Sequence, residues 1–204
     1  MKKLFAFILA LALCAASAFA EATPQPSPEA AFTPTDSTIL VACFSATDNT
    51  WPLAEYAAAS LNADLFRIEP EIPYTEADLN YGDSDSRANQ EMNDETSRPA
   101  LKATVENIEQ YDTILLGFPI WWGQAPRLIE TFVEAHDLSG KTILPFCTSG
   151  GSGYGQTGEI LAALTDETVT WLEGRRFPAS ATAEEIAAWL QEMAIEPYAP
   201  SEEE

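Results

Sequence analysis

From residue 38 onward the chain switches repeatedly between continuous apolar runs and stretches with helical spacing. "TILVACFS" (38–45) is an unbroken β-favouring run, and "WPLAEYAAASL" (51–61) carries apolar residues at helical intervals. Pro52 fits such a helix only in its first turn, where its missing N–H is no loss. "ADLFRIEP" (63–70) alternates like a strand, with Leu65 and Ile68 apolar and Arg67 and Glu69 polar around Phe66. "YDTILLGFPI" (111–120) is a second buried run, and "APRLIETFVEAH" (125–136) sets Leu128, Ile129, Phe132 and Val133 on one face. "KTILPFCTS" (141–149) reads as a strand and "TGEILAALT" (157–165) as a helix. "TVTWLEG" (168–174) reads as a fifth strand, and "TAEEIAAWLQEM" (182–193) as a closing amphipathic helix. Apolar runs without strict alternation are buried on both faces, and strands separated by helices pair in parallel. The pattern predicts an α/β domain, a doubly wound five-stranded parallel sheet with helices on both faces.

Residues 71–103 break that rhythm. The segment is polar and acidic, with one short helix expected over residues 87–93, and its simplest reading is a solvated excursion ahead of the third strand. Before the domain, "EATPQPSPEAAFTPTDS" (21–37) is rich in Pro, Ser, Thr and Ala and reads as a disordered spacer. After it, residues 196–204 ("EPYAPSEEE") read as an acidic solvated tail, which leaves 38–195 for the domain. The start of the chain is basic at Lys2 and Lys3, apolar from Leu4 to Leu13, and exits through Ala18-Phe19-Ala20. Those are the parts of a signal peptide cleaved after Ala20, with an apolar core too short to span a bilayer. The absence of a twin arginine there points to export of an unfolded chain. Cys14 offers lipid anchoring as an alternative, although Leu13 is bulky for such a signal.

Composition narrows the partners. The net charge of −22 becomes two units more negative once Lys2 and Lys3 are removed. Such a surface repels nucleic acid and anionic membranes and suits a soluble protein, a basic partner or cations. Beyond the signal the cysteines are Cys43 and Cys147. In an exported chain a pair invites a disulfide, but both end apolar strand-like runs and read as buried thiols. No CxxC or Cys/His cluster supports a zinc site. His136, the single histidine, falls at a helix end where a cation meets the helix dipole favourably, and Arg175 and Arg176 are placed to pair with the acidic surface.

In an open α/β sheet, ligands bind beyond the carboxyl ends of the strands. Three chemically unusual loops leave those ends. "SATDNT" (45–50) offers backbone N–H groups, the hydroxyls of Ser45, Thr47 and Thr50, and the Asn49 amide at a helix N-terminus, a set of dipoles suited to an anion. Asp48 puts a negative charge in the middle of it. "PIWWGQAP" (119–126) holds Trp121 and Trp122 between Pro119 and Pro126, and indoles in a loop are costly unless they cover something flat. Side chains of adjacent residues diverge, so at least one of the two indoles is expected at a ligand ring, with core packing the alternative for either. "CTSGGSGYGQT" (147–157) places Gly150, Gly151, Gly153 and Gly155 around Tyr154, so its backbone can approach a planar ring closely. A phosphate at one end and flat surfaces at the other describe a flavin mononucleotide (FMN) site.

With these loops the chain resembles the flavodoxins, in particular a branch with "PIWWG" and "CTSGGSG" loops. The resemblance runs from about Thr38 to Gln191 and includes "ADLFRIEP-x-x-PY" and "LSGKTILPF". It implies strand order 2-1-3-4-5 and FMN as cofactor. Ser45, Thr47, Asn49 and Thr50 would hold the phosphate; Trp121, Trp122 and Gly123 would line the isoalloxazine; Thr148, Gly150, Gly151 and Tyr154 would close the other side. The chain departs from the pattern at Asp48, where such loops usually have glycine, and at Trp51 and Pro52, where polar helix starters are common. Asp tolerates left-handed backbone, so the departure bears on charge more than on shape. Two function classes follow. One is an exported redox flavoprotein serving a partner protein or a small acceptor such as a quinone, as carrier or reductase. The other is an exported binding module whose flavin site is weakened.

Overall fold

The computed structural model describes Phe32 and residues 34–199. The expected signal peptide lies outside the described residues, as do most of the spacer and the last residues of the tail. The elements are β1 (Ile39–Cys43), α1 (Trp51–Leu61), β2 (Asp64–Arg67), α2 (Arg87–Asn93), a 3-10 turn (Ile108–Gln110), β3 (Thr113–Pro119), α3 (Arg127–Glu134), β4 (Thr142–Thr148), α4 (Thr157–Ala162), β5 (Thr170–Trp171), β6 (Arg175–Phe177) and α5 (Ala183–Glu192). The strands pair in parallel in the order β2-β1-β3-β4-β5, with β6 also on β4. This is the doubly wound sheet that the pattern predicts.

Every residue of β1 is buried, because its two faces feed two cores. Leu40, Ala42 and Phe44 point to one side, where they meet Ala88 and Met92 of α2 and Leu128, Ile129, Phe132 and Val133 of α3. Ile39, Val41 and Cys43 point to the other, against Leu53, Ala54, Ala57 and Leu61 of α1 and Ile186, Trp189 and Leu190 of α5. Cys43 and Cys147 are buried and unpaired. Burial pushes both thiols up, Cys147 to about 12, so neither is a thiolate near neutrality.

The fifth strand position differs from expectation. It is split into β5 and β6 by Leu172, Glu173 and Gly174, so that Arg175 and Arg176 lie within a strand rather than after it. At the break the Tyr154 ring lies so close to Gly174 that a Cβ there would come within 2.3 Å of it. The spacer also packs earlier than expected. Phe32 meets Phe66 edge-on, the Thr35 hydroxyl donates to Asp64 at 2.7 Å, and Ser37 is buried. Within the tail read as solvated, the Tyr198 N–H donates to the Leu61 carbonyl.

The excursion before β3 is folded rather than merely solvated. Its helix spans Arg87–Asn93, as the sequence predicts. The buried Asn89 amide donates its two N–H groups to the Asp83 carbonyl and the Ser86 hydroxyl, with the Asn80 and Tyr81 carbonyls close by, which pins residues 80–86 over α2. Beyond it, Arg98 bridges Glu130 and Glu134 of α3.

Candidate cofactor site at the carboxyl end of the sheet

The loop after β1 is shaped by hydrogen bonds made within itself. Ser45 Oγ accepts the N–H groups of Thr50 (3.1 Å) and Trp51 (3.3 Å), which turns the chain into α1. Those bonds use the lone pairs of Ser45 and leave its proton to donate outward. The Asn49 side chain donates to Thr47 Oγ1 at 3.0 Å, which likewise leaves the Thr47 proton for an acceptor elsewhere. Among the described residues, none of the N–H groups of residues 46–49 donates to a protein acceptor. A run of free N–H groups and two hydroxyl protons beside a helix start is chemistry for an anion.

Asp48 sits at φ 54, the left-handed conformation that this position requires and that Asp accepts with little strain. Its carboxylate is 71% exposed and receives the Arg67 guanidinium at 3.0 Å. Arg67 in turn lies over the Trp51 ring, 4.0 Å from its centroid, and the Trp51 indole N–H donates to Glu55. The residues that looked out of place at the helix start, Asp48 and Trp51, are thus both partners of one arginine on β2.

Thr50 and Thr148 are buried and share a hydroxyl–hydroxyl bond of 2.7 Å. It joins the first loop to the end of β4, across the end of β3. Thr148 also pairs in register with Pro119, and its carbonyl accepts the Ile120 N–H.

Trp121 and Trp122 diverge. Residues 121–124 form a tight turn in which Trp121 and Gln124 exchange both backbone bonds, at 2.9 and 3.0 Å, with Trp122 (φ 47) and Gly123 (φ 81) at its centre. Two successive positive φ values make a type I′ turn, which glycine at the second position favours. Trp121 is 4% exposed and packs edge-on against Phe44 and Tyr74, so it belongs to the core and not to a ligand ring. Trp122 is 43% exposed, and its ring centroid lies 4.4 Å from that of Tyr81, itself 54% exposed.

The glycine loop meets this turn, since a Cβ on Gly155 would lie 3.3 Å from the Gly123 carbonyl. The Arg176 guanidinium donates to the Ser149 carbonyl and the Gly151 N–H to the Ser149 hydroxyl, which steadies the loop. Gly150 and Gly151 have open space where a Cβ would be and no left-handed φ. The chain's own packing does not require glycine there, and the bare backbone leaves room for a flat group to approach closely. Tyr154 does not face that space. Its ring folds back over Gly158 and Gly174, and its buried hydroxyl has no protein partner among the described residues.

Ser45, Thr47, Asn49, Thr50, Trp122, Gly123, Gly150 and Gly151 therefore lie in three loops at one end of the sheet, with Thr148 at the end of β4 beside them, while Trp121 and Tyr154 turn inward. Sequence reasoning missed Arg67, Tyr81 and Asn89. Their partners are 19, 41 and 3–9 positions away, and only Asn89, on the periodic helix of an otherwise polar stretch, left a local signal.

His136 is not the helix-end cation that the sequence suggests. Its Nε2 accepts the Val105 N–H at 2.9 Å, so the proton is on Nδ1, which donates to the Phe132 carbonyl at 2.7 Å. The ring is neutral, and burial holds its pKa below the ordinary histidine value.

Comparison with known proteins agrees with this geometry. Residues 38–193 match the family model described as Flavodoxin. The chain belongs to the flavodoxin family. A crystal structure assigned provisionally as a flavoprotein, from Bacteroides eggerthii DSM 20697, is 46% identical with a TM-score of 0.72, covering 78% of this flavodoxin and 98% of that chain. Another, from Bacteroides uniformis ATCC 8492, is 40% identical with a TM-score of 0.71, covering 75% and 97%. A flavoprotein from Lactobacillus acidophilus NCFM, solved in complex with FMN, shares the fold at 20% identity and a TM-score of 0.58, covering 68% and 91%. A search of curated proteins finds no match.

Proposed function

We propose that this flavodoxin binds FMN and works outside the cytoplasm in electron transfer, either as a carrier or as a reductase of a small planar acceptor such as a quinone. The observation that carries the reading is the pairing of chemistries at one end of the sheet. Free N–H groups of residues 46–49 lie in the loop after β1, and the exposed Trp122 and the open Gly150 and Gly151 lie in the loops after β3 and β4. The first set suits a phosphate and the second a flat ring. The FMN complex of the Lactobacillus relative supports the same assignment.

When bound, the flavin supplies the electron and hydride chemistry. The protein's part is to hold and tune it. Ser45, Thr47, Asn49 and the loop N–H groups would hold the phosphate, Thr50 and Thr148 would fix the spacing between loops, and Trp122, Gly123, Gly150 and Gly151 would enclose the ring. The net charge of −22 disfavours additional negative charge on a reduced cofactor and so lowers its potential. The Arg67–Asp48 pair weighs against a weakened site, because the loop's single carboxylate already faces a guanidinium.

The test has two parts. Purified protein mixed with FMN is expected to quench flavin fluorescence and to retain a yellow absorbance band through gel filtration; free FMN eluting alone would refute the cofactor assignment. Reduced holoprotein is then expected to reoxidise with a quinone under anaerobic conditions. For location, the N-terminus of the protein recovered outside the cytoplasm is expected to be Glu21. Met1, or a lipid on Cys14, would contradict that route.

A further inference from the structure

Trp122 and Tyr81 come from different segments, the turn after β3 and the acidic excursion before it, yet their rings touch in solvent at 4.4 Å between centroids and 42° between planes. With Ile72 they are the large apolar side chains left exposed among the described residues. Neither ring has a packing role in the core. Exposed rings gain little from each other alone. Here the loop is held. The two N–H groups of the Asn89 amide donate to the Asp83 carbonyl at 2.6 Å and to Ser86 Oγ at 3.0 Å, with the Asn80 and Tyr81 carbonyls also within 3.4 Å. The Gly82 N–H closes a further turn onto the Asn80 side chain. On the other side, Trp122 is confined to φ 47 by the type I′ turn, which fixes its backbone and leaves the indole free to rotate about its side-chain torsions.

Tyr81 supplies the missing constraint. We propose that Tyr81 is a positioning residue, which sets the plane of the Trp122 indole against the flavin ring and thereby makes the acidic excursion part of the cofactor site. The inference rests on the FMN reading above. It gives the excursion a role beyond a solvated surface: α2 anchors Asn89, Asn89 anchors residues 80–86, and these present Tyr81 to Trp122. A flat ring is ligand chemistry suited to an indole held in one plane, because ring pairs favour particular offset-stacked or edge-to-face arrangements.

The experiment compares the parent with Tyr81→Phe, Tyr81→Ala, Trp122→Ala and the double variant Tyr81→Ala/Trp122→Ala, each first checked for an unchanged urea midpoint. Without flavin, the Trp122 indole N–H resonance, assigned by its loss in Trp122→Ala, is expected to move in Tyr81→Ala and to stay in Tyr81→Phe. With FMN, Tyr81→Ala is expected to bind about fivefold more weakly, with a shifted flavin absorbance band, while Tyr81→Phe stays within about twofold of the parent. Trp122→Ala and the double variant should bind alike, because Tyr81 acts only through the indole. An unmoved indole resonance overturns the proposal even if FMN binds normally, as does equal FMN affinity in parent and Tyr81→Ala. A further loss in the double variant would mean that Tyr81 meets the flavin itself, which also contradicts it. Failure of the parent to bind FMN, by contrast, refutes the cofactor reading and takes this proposal with it.

Discussion

The guanidinium of Arg67, at the end of β2, donates to the Asp48 carboxylate at 3.0 Å while covering the Trp51 ring. An acid in the middle of an anion loop is therefore half of an ion pair. Two unit charges about 6 Å apart interact by roughly 0.7–3 kcal/mol between water-like and protein-like screening. A lone carboxylate at that distance from a phosphate would cost that much; a paired one costs much less. Asp48→Gly is thus expected to change FMN affinity by less than about threefold. Arg67→Ala is expected to weaken it about tenfold at low salt, or ~1.4 kcal/mol, and less at high salt. FMN titrations at two ionic strengths check this, and a large gain in Asp48→Gly would show that the carboxylate still repels.

The two adjacent tryptophans are expected to fail in different ways. Trp121 is buried between Phe44 and Tyr74, so Trp121→Ala should cost about 3–5 kcal/mol of folding stability through the cavity it leaves. Trp122→Ala should leave the urea midpoint nearly unchanged and weaken FMN by roughly 1 kcal/mol, the scale of an aromatic stack. Unfolding curves and FMN titrations on both variants separate the roles, and equal effects on either readout would contradict the division.

The Thr50–Thr148 bond gives a non-additive prediction. Thr148→Val leaves the buried Thr50 hydroxyl without its partner and should destabilise by about 1–3 kcal/mol. Thr50→Val in that background should cost little more, because both ends are then apolar. A double-mutant cycle by urea unfolding measures the coupling, expected to be at least about 1 kcal/mol.

How much of this was legible beforehand depended on distance along the chain. α1 and α2 begin and end where the local pattern puts them, because an N-terminal proline and a single amphipathic turn are local signals. The parallel sheet and the three loops followed from the alternation of elements, and the strand order from the resemblance to the flavodoxins. The broken fifth strand did not; at the break a tyrosine 20 positions earlier packs on Gly174, a contact the local sequence does not mark. In the site, the loops could be read from their own hydroxyls and glycines. The identity of the inward tryptophan, the arginine that faces Asp48 and the ring that meets Trp122 depend on contacts between segments, for which the sequence carries no nearby mark.

His136 makes stability depend on pH with a definite sign. Its folded pKa is depressed by burial, and Nε2 must stay unprotonated to accept the Val105 N–H. At pH above the unfolded value, about 6.5, folded and unfolded states are both neutral and the contact is fully present. As pH falls below 6.5 the unfolded chain takes up a proton that the folded chain resists, so stability drops until the folded pKa is passed. The difference in urea midpoint between parent and His136→Gln is expected to shrink from pH 7.5 to pH 5. A constant difference would mean that the ring does not resist protonation.

The central claim is that residues 45–50 cradle a phosphate, and the most direct measurement is a paired titration with FMN and riboflavin, which differ in that phosphate alone. The account predicts that FMN binds at least about 100-fold more tightly, since several N–H groups and hydroxyls with no other acceptor would be worth ~2.7 kcal/mol or more together. The advantage should shrink in Arg67→Ala, where Asp48 is left unpaired. Equal affinity for the two flavins would mean that the loop after β1 holds no phosphate.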